Sequence, residues 1–238
     1  MEKTREPYVH IKVVRHEKSD KTKGADRPTA DGFKAAYERG IALREENPDQ
    51  IIRGYYSNKA RSQICLGAWL DGAGSLQVRG RSYSYQPFAQ LSNALNPVTN
   101  TPSEIKEARE GGADASYTMG LWLGKYAKLV EPCAEAMRKH IVKILQDIPS
   151  GGIILNVSHT PVVEASLLRL MGEELDSKRL EDIIGRSHFA EGTGYDVACE
   201  FTIATIDKPK IYVAEKTFET NIDVEKELGP AFEYLASL

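Results

Sequence analysis

Residues that could act on a phosphate group follow three predicted strands of the chain. Arg15 and His16 come directly after the first strand, and Arg61 lies in the segment 57–61 that follows the second. His159 comes just after a short apolar strand. An imidazole can attack phosphorus and carry the phosphoryl group covalently. Guanidinium groups bind phosphate oxygens through paired, charge-assisted hydrogen bonds.

This set of side chains predicts a complete charge pattern for phosphoryl transfer. One histidine would serve as the nucleophile, and the second, if protonated, would add a hydrogen-bond donor where negative charge develops. The two arginines and the second histidine then supply three cations, so we expect no metal ion and no other cofactor. The expected partner is a small phosphorylated substrate.

The elements that must position these residues alternate along the chain. The residue patterns predict strands over 8–14, 51–57, 76–85, 153–157, 195–205 and 211–215. They predict helices from about 28 to 47 and over 58–70, 104–110, 116–146, 161–171 and 224–235. The segment 87–100 is interpreted as a loop with a possible short helix. The strand at 153–157 is almost purely apolar, which favours a central parallel strand covered on both faces.

This alternation of strands and helices predicts an α/β fold with an open, mostly parallel central sheet and helices on both faces. In such sheets a ligand binds beyond the carboxyl ends of the strands. The residues that follow the three strands are therefore expected to meet at one edge of the sheet. We find no linker, repeat or low-complexity segment, so we expect a single domain over 1–238.

The composition is that of an ordinary folded protein. Apolar residues make up 41% and charged residues 27% of the 238 residues, a length that suits one α/β domain. The formal net charge of −3 gives no basic bias, so a nucleic-acid partner is not expected. Three cysteines lie far apart in the sequence, which argues against a disulfide framework or a metal cluster.

The sequence contains no segment that predicts a membrane location. No apolar run approaches the roughly 20 residues that a membrane-spanning helix needs. The first seven residues are charged and lack the apolar stretch of a secretion signal. We therefore expect no membrane partner and a cytoplasmic location.

Four segments, taken in order, resemble the histidine phosphatase superfamily, whose members are phosphoglycerate-mutase-like. VVRHEKSD over 13–20 is similar to the strand that ends in the Arg-His signature, and DRPTADGFKAAYERG over 26–40 is similar to the helix that follows it. YYSNKARSQICLG over 55–67 resembles the segment that supplies a second arginine. IILNVSHTPVVEASLLRLMG over 153–172 resembles the segment that supplies a second histidine.

The resemblance implies a role for each matched residue. His16 would be the phosphorylated nucleophile, and Arg15, Arg61 and His159 would complete the phosphate pocket. It also implies a three-layer α/β/α sandwich. The implied activity is that of a metal-independent phosphomonoester hydrolase working through a phosphohistidine.

The sequence departs from the family pattern where a general acid is needed. Glu17 stands at a position that is mostly small in the family, and its carboxylate would repel phosphate unless it points away or pairs with Lys18 or Lys21. Thr160 follows the second histidine where one branch has an aspartate, and 76–100 contains no acidic residue. Glu164 is the first choice for the acid because it lies in the first turn of a helix after His159. The other candidates are Glu104, Glu107 and Glu17.

Two alternative functions stay open from the sequence. The missing acid is compatible with a catalytically weak or inactive phosphate-binding or regulatory protein on the same fold. A phosphotransferase of the phosphoglycerate-mutase type is ranked lower, because the segment after Arg61 lacks the acidic, arginine-rich character of those mutases. His188 lies in a loop that could reach the site, although a structural role is the expected one.

Overall fold

The computed structural model describes residues 8–20, 22, 24–75, 89–147, 151–200 and 206–229. The strands are β1 (Tyr8–Arg15), β2 (Ile52–Tyr56), β3 (Ala89–Leu91), β4 (Gly152–Ser158), β5 (Gly194–Glu200), β6 (Lys210–Val213) and β7 (Lys216–Glu219). The α-helices are α1 (Ala30–Glu46), α2 (Ala60–Gly72), α3 (Ser103–Glu110), α4 (Ala115–Gly120), α5 (Ala127–Asp147), α6 (Val162–Met171) and α7 (Ser177–Ile184). Residues 224–229 are also helical.

The described strands form one mixed sheet in the order β3-β2-β4-β1-β5-β6-β7. The four strands from β3 to β1 run parallel, and β4 pairs with β2 on one side and β1 on the other. The pairs β1–β5, β5–β6 and β6–β7 are antiparallel. The α/β class is therefore confirmed, whereas the expectation of a mostly parallel sheet is not.

Short connections explain the antiparallel pairs β5–β6 and β6–β7. A parallel crossover needs a dozen or more residues, usually including a helix. Only nine residues, 201–209, separate β5 from β6, and a two-residue turn at Ala214 and Glu215 joins β6 to β7. Ala214 has a φ of 51° in this turn. The predicted strand 211–215 is therefore too long, because the turn occupies its last two residues and β6 ends at Val213.

Two apolar cores lie on opposite faces of the sheet. In β4, Ile154 belongs to the core that includes α5 and α6, whereas Ile153 and Leu155 belong to the core that includes α1 and α2. This alternation follows from the two-residue side-chain period of a strand. Helices thus cover both faces, as expected from the sequence. Among the described residues, no helix has the length and apolar character needed to cross a membrane.

Helices α1 and α2 pack through small residues rather than through large apolar ones. A Cβ atom added at Gly40 would overlap the backbone of Trp69, and one added at Gly72 would overlap the backbone of Tyr37. Because the backbones approach so closely, the large side chains of α1 cannot fit between the helices. Phe33 and Ile41, two large apolar residues of α1, are accordingly 45% and 38% exposed.

Several predicted elements differ from the structure. The predicted helix 116–146 is divided, because a π-helical turn at Leu121–Lys125 separates α4 from α5. The backbone N–H of Tyr126 donates to the carbonyl of Leu121 within this turn. The sequence patterns also missed β3, α7 and β7. The predicted strand 76–85 and the segments 201–205 and 230–235 lie outside the described residues.

Candidate active site

The carboxyl ends of β1, β2 and β4 surround a cavity of about 780 Å³. Arg15, His16, Arg61 and His159 all line it, so the structure brings these four predicted residues together. The parallel pairing of β1 with β4 accounts for this, because Arg15 is opposite Ser158 in the register and the two histidines follow directly. The imidazole centroids of His16 and His159 are 5.0 Å apart.

His16 is held in one orientation at the end of β1. Its backbone N–H donates to the carbonyl of Ser158 over 3.1 Å. Its Nδ1 atom lies 2.7 Å from the carbonyl oxygen of Glu17. A carbonyl can only accept, so Nδ1 carries the proton in this contact and Nε2 carries the lone pair of the neutral ring. The local geometry therefore makes Nε2 the basic nitrogen of the His16 ring.

His159 is neutral in this structure. Its Nε2 atom lies 2.6 Å from the Ser57 hydroxyl and 3.1 Å from the Ser62 hydroxyl, and its Nδ1 atom lies 3.4 Å from the Arg61 guanidinium. Arg61 can only donate, so Nδ1 accepts and Nε2 donates. Burial, followed by the charges of His16 and Arg61, lowers the pKa of His159 to about 2.

The two arginines are anchored by their surroundings. The Arg15 guanidinium donates to the carbonyl of Phe189 over 3.0 Å. The Arg61 guanidinium pairs with Asp26 over 3.4 Å. In both residues the Nε atom is buried and has no hydrogen-bond partner in the described part of the chain. Unpaired buried N–H donors are uncommon, and these two belong to side chains that line the cavity.

Comparisons with solved structures identify the fold of the chain. A phosphoglycerate mutase from Bacillus anthracis matches with a TM-score of 0.54 and 12% identity over 95% of this chain and 97% of that one. A mycobacterial protein named hydrolase 2 matches with a TM-score of 0.55 and 10% identity over 97% and 99% of the two chains. The chain has the histidine phosphatase fold.

A third match within this fold is a mycobacterial glucosyl-3-phosphoglycerate phosphatase, with a TM-score of 0.52 and 10% identity over 87% of this chain and 97% of that one. A scan against protein-family models and a search of curated proteins gave no match. At these identities the structural likeness concerns the fold alone. The chemistry depends on the side chains of the site.

Glu17, the residue next to His16, does not line the cavity. Its carboxylate lies 2.8 Å from Arg39 Nε on α1 and is only slightly exposed. Burial raises the pKa of Glu17, and the nearby Arg39 opposes that rise. A side chain at Gly192, which has a φ of 71°, would overlap this carboxylate. Glu17 is thus paired with Arg39 rather than with Lys18 or Lys21.

The structure does not bring Glu164, the first choice for the general acid, into the cavity. Glu164 is fully buried, and its Oε1 atom accepts from the Phe189 backbone N–H and the Thr160 hydroxyl over 3.0 and 3.1 Å. Burial raises its pKa. Its lack of exposure separates it from any bound substrate.

The other acid candidates also lie away from the cavity. Glu104 pairs with Lys125 and Tyr126, and Glu107 is exposed on α3. No carboxylate lines the cavity among the residues that the structure describes. Those residues also contain no group of three or more histidine, cysteine, aspartate or glutamate side chains that could hold a metal ion.

Sequence reasoning missed several residues that line the cavity. Lys59 and Arg109 add positive charge, and partial burial together with the charge of Arg15 lowers the pKa of Arg109. Trp122 is buried, and its Nε1 atom has no partner in the described part of the chain. His188, for which the sequence favoured a structural role, also lines the cavity. Lys59 could have been found because it lies in the segment before Arg61, whereas Arg109 belongs to a polar helix whose pattern gives no such signal.

Proposed function

We propose that this chain is a single-domain, metal-independent phosphomonoester hydrolase that works through a phosphohistidine at His16. One observation carries the proposal. The Nδ1 atom of His16 is 2.7 Å from a backbone carbonyl, and this contact leaves the lone pair on Nε2 in a cavity that Arg15, Arg61 and His159 also line. A fixed imidazole among cations is the arrangement that phosphoryl transfer to histidine requires.

In the first step, Nε2 of His16 attacks phosphorus and the ester P–O bond breaks. Arg15 and Arg61 bind the equatorial oxygens through the N–H groups of their guanidinium forks. The dianionic phosphoryl group favours the protonated form of His159, because an opposite charge nearby stabilises the charged state. Water then attacks the phosphohistidine, the P–N bond breaks, and inorganic phosphate leaves.

The charges around the cavity support a small, anionic substrate. Four cationic side chains line it, from Arg15, Lys59, Arg61 and Arg109, and the described lining contains no acid. Such a cavity raises the local concentration of a negatively charged ligand. Its volume of about 780 Å³ is within the range of small-molecule sites.

A second candidate is a phosphate-binding protein without turnover. The observation that favours it is that no carboxylate lines the cavity in the described residues. A general acid contributes roughly 10²–10⁴ in rate, so a site without one could bind a phosphate ester and release it unchanged.

The test is phosphate release from p-nitrophenyl phosphate between pH 5 and 8 in the presence of EDTA. We expect turnover by the wild-type chain and none by His16→Ala, because the nucleophile is removed. His10→Ala is the matched control: it lies six residues earlier in β1, about 20 Å along the strand, and should keep its activity. Binding of inorganic phosphate without any hydrolysis would support the second candidate instead.

A further inference from the structure

The leaving group of a phosphomonoester needs a proton, and no carboxylate lines the cavity in the described part of the chain. An alkoxide is a poor leaving group, so protonation of its oxygen accelerates cleavage by roughly 10²–10⁴. Lysine and arginine are too basic to act as efficient acids near neutral pH, because the best catalytic pKa lies close to the working pH. Histidine is the side chain whose ordinary pKa meets this condition.

Three histidines line the cavity: His16, His159 and His188. In the proposed function His16 is the nucleophile and His159 is a phosphate ligand. Resting on that function, we propose that His188 is the general acid that protonates the leaving oxygen and the general base that activates water in the second step.

The loop that carries His188 is fixed against the nucleophile strand. The adjacent residue, Phe189, accepts from the Arg15 guanidinium and donates its N–H to Glu164, each over 3.0 Å. The backbone of Arg15 donates to Thr193 and accepts from Gly192 over 2.9 and 3.0 Å. These bonds hold the loop close to Arg15, which binds the phosphoryl group in the proposed reaction.

Glu164 acquires a role through this loop. It does not line the cavity, but it accepts the N–H of the residue that follows His188. It is therefore a positioning residue for the loop rather than the acid itself. This explains why a buried carboxylate follows the second histidine and yet has no access to substrate.

The orientation of His188 suits proton transfer. Its Nδ1 atom lies 3.0 Å from the Ser187 hydroxyl, so the proposal assigns proton transfer to Nε2. Burial, Arg15 and Arg186 lower its pKa, whereas Glu191 raises it. A bound phosphoryl dianion offsets the charge of Arg15, so the protonated form of His188 becomes more favourable when substrate is present.

The step balances in atoms and charge. As the bond between phosphorus and His16 Nε2 forms, the ester P–O bond breaks and the proton on His188 Nε2 moves to the departing oxygen, which leaves as a neutral alcohol. The neutral His188 then takes a proton from water as its oxygen attacks phosphorus. The P–N bond breaks, phosphate forms, and His188 is protonated again.

The test compares substrates whose leaving groups differ in their need for a proton. Phenyl phosphate has a basic leaving group, whereas 2,4-dinitrophenyl phosphate has one that leaves readily as an anion. We expect His188→Gln to lower kcat/KM for phenyl phosphate by about 100-fold or more, and for 2,4-dinitrophenyl phosphate by less than about threefold. The wild-type chain should lose activity on phenyl phosphate at high pH, and His188→Gln should not show this decline. His10→Gln, the same substitution at a distant site, should change neither substrate.

The possible failures are distinguishable. An equal loss on both substrates, or no loss on either, would overturn the assignment of His188 while wild-type turnover still supported the proposed function. If the wild-type chain hydrolysed neither substrate and formed no phosphohistidine, the proposed function itself would fall, and the role of His188 with it.

Discussion

At the scale of single residues, the protonation state of His159 makes the stability of the fold depend on pH. Its pKa is lowered to about 2, first by burial and then by neighbouring cations. In the unfolded chain a histidine has a pKa of about 6.5. The unfolded state therefore binds a proton below pH 6.5 that the native state does not bind, so this group's stabilising contribution is present above pH 6.5 and is lost as pH falls towards 2.

We expect the wild-type chain to lose about 2 kcal/mol between pH 7 and pH 5 through this one group. His159→Gln keeps a side-chain N–H for Ser57 but cannot titrate. Its free energy of unfolding should therefore fall by about 2 kcal/mol less than that of the wild type over the same interval. Urea unfolding of both proteins at the two pH values measures the difference. Parallel pH dependence of the two proteins would mean that His159 is not held neutral.

The sequence predicted that Arg15, His16 and His159 would lie together, because the ends of strands can be recognised from the residue pattern. These residues follow β-branched or apolar runs directly, and parallel pairing then brings them to one edge. The burial of Glu164 could not be predicted from the sequence, since it depends on the loop at Phe189, which is 25 residues away in the chain. Arg109 was missed for the same reason, because tertiary packing of α3 decides which end faces the cavity.

At the scale of elements, the close packing of α1 on α2 stabilises the face of the sheet next to the nucleophile. Gly40 allows the backbones to approach, since any Cβ there would overlap the carbonyl of Trp69. Glu17 is also anchored on α1, through Arg39. A change in helix spacing would therefore reach the loop that follows His16.

Two glycine substitutions separate packing from helix propensity. Gly40→Ala should lower the free energy of unfolding by about 1–3 kcal/mol, because the added methyl group cannot be accommodated without a backbone shift. Gly67→Ala on α2 meets no atom within 4 Å, and should raise it by about 1 kcal/mol through helix propensity. Thermal or urea unfolding measures both. Equal effects of the two changes would contradict close packing at Gly40.

Sequence patterns predicted most helices and the central strands. They did not predict the interruption of a long helix or a very short strand. The run 116–146 has continuous helical character, so nothing in its periodicity marks the π-turn at Leu121–Lys125. β3 has only three residues and follows a proline-containing segment. The apolar residues of α1 suggested a buried face, but the glycines at 40 and 72 determine which side of the helix is covered.

At the scale of the whole molecule, a net charge of −3 coexists with a cationic cavity. The separation arises because the described lining contains arginine and lysine but no acid, while acidic side chains are distributed over the remaining surface. A field of this kind attracts anions over distances comparable to the Debye length, about 10 Å at 0.1 M salt.

Substitution of Arg109 should weaken this attraction without affecting the chemical step. We expect Arg109→Ala to lower kcat/KM for p-nitrophenyl phosphate at low salt by roughly three- to tenfold and to flatten its decline with added NaCl. Lys143→Ala is the control of equal charge: it lies near the end of α5, just before β4 begins and so at the opposite edge of the sheet. A similar loss in both variants would indicate a general charge effect rather than a local one.

The most direct test of the account is to trap the phosphorylated enzyme. The wild-type chain is mixed with ³²P-labelled phenyl phosphate, quenched in alkali within milliseconds, and digested to locate the label. We predict an alkali-stable, acid-labile phosphohistidine at His16 that forms and decays at rates compatible with turnover, and no label in His16→Ala. Turnover without any phosphohistidine, or label on a residue other than His16, would contradict the account.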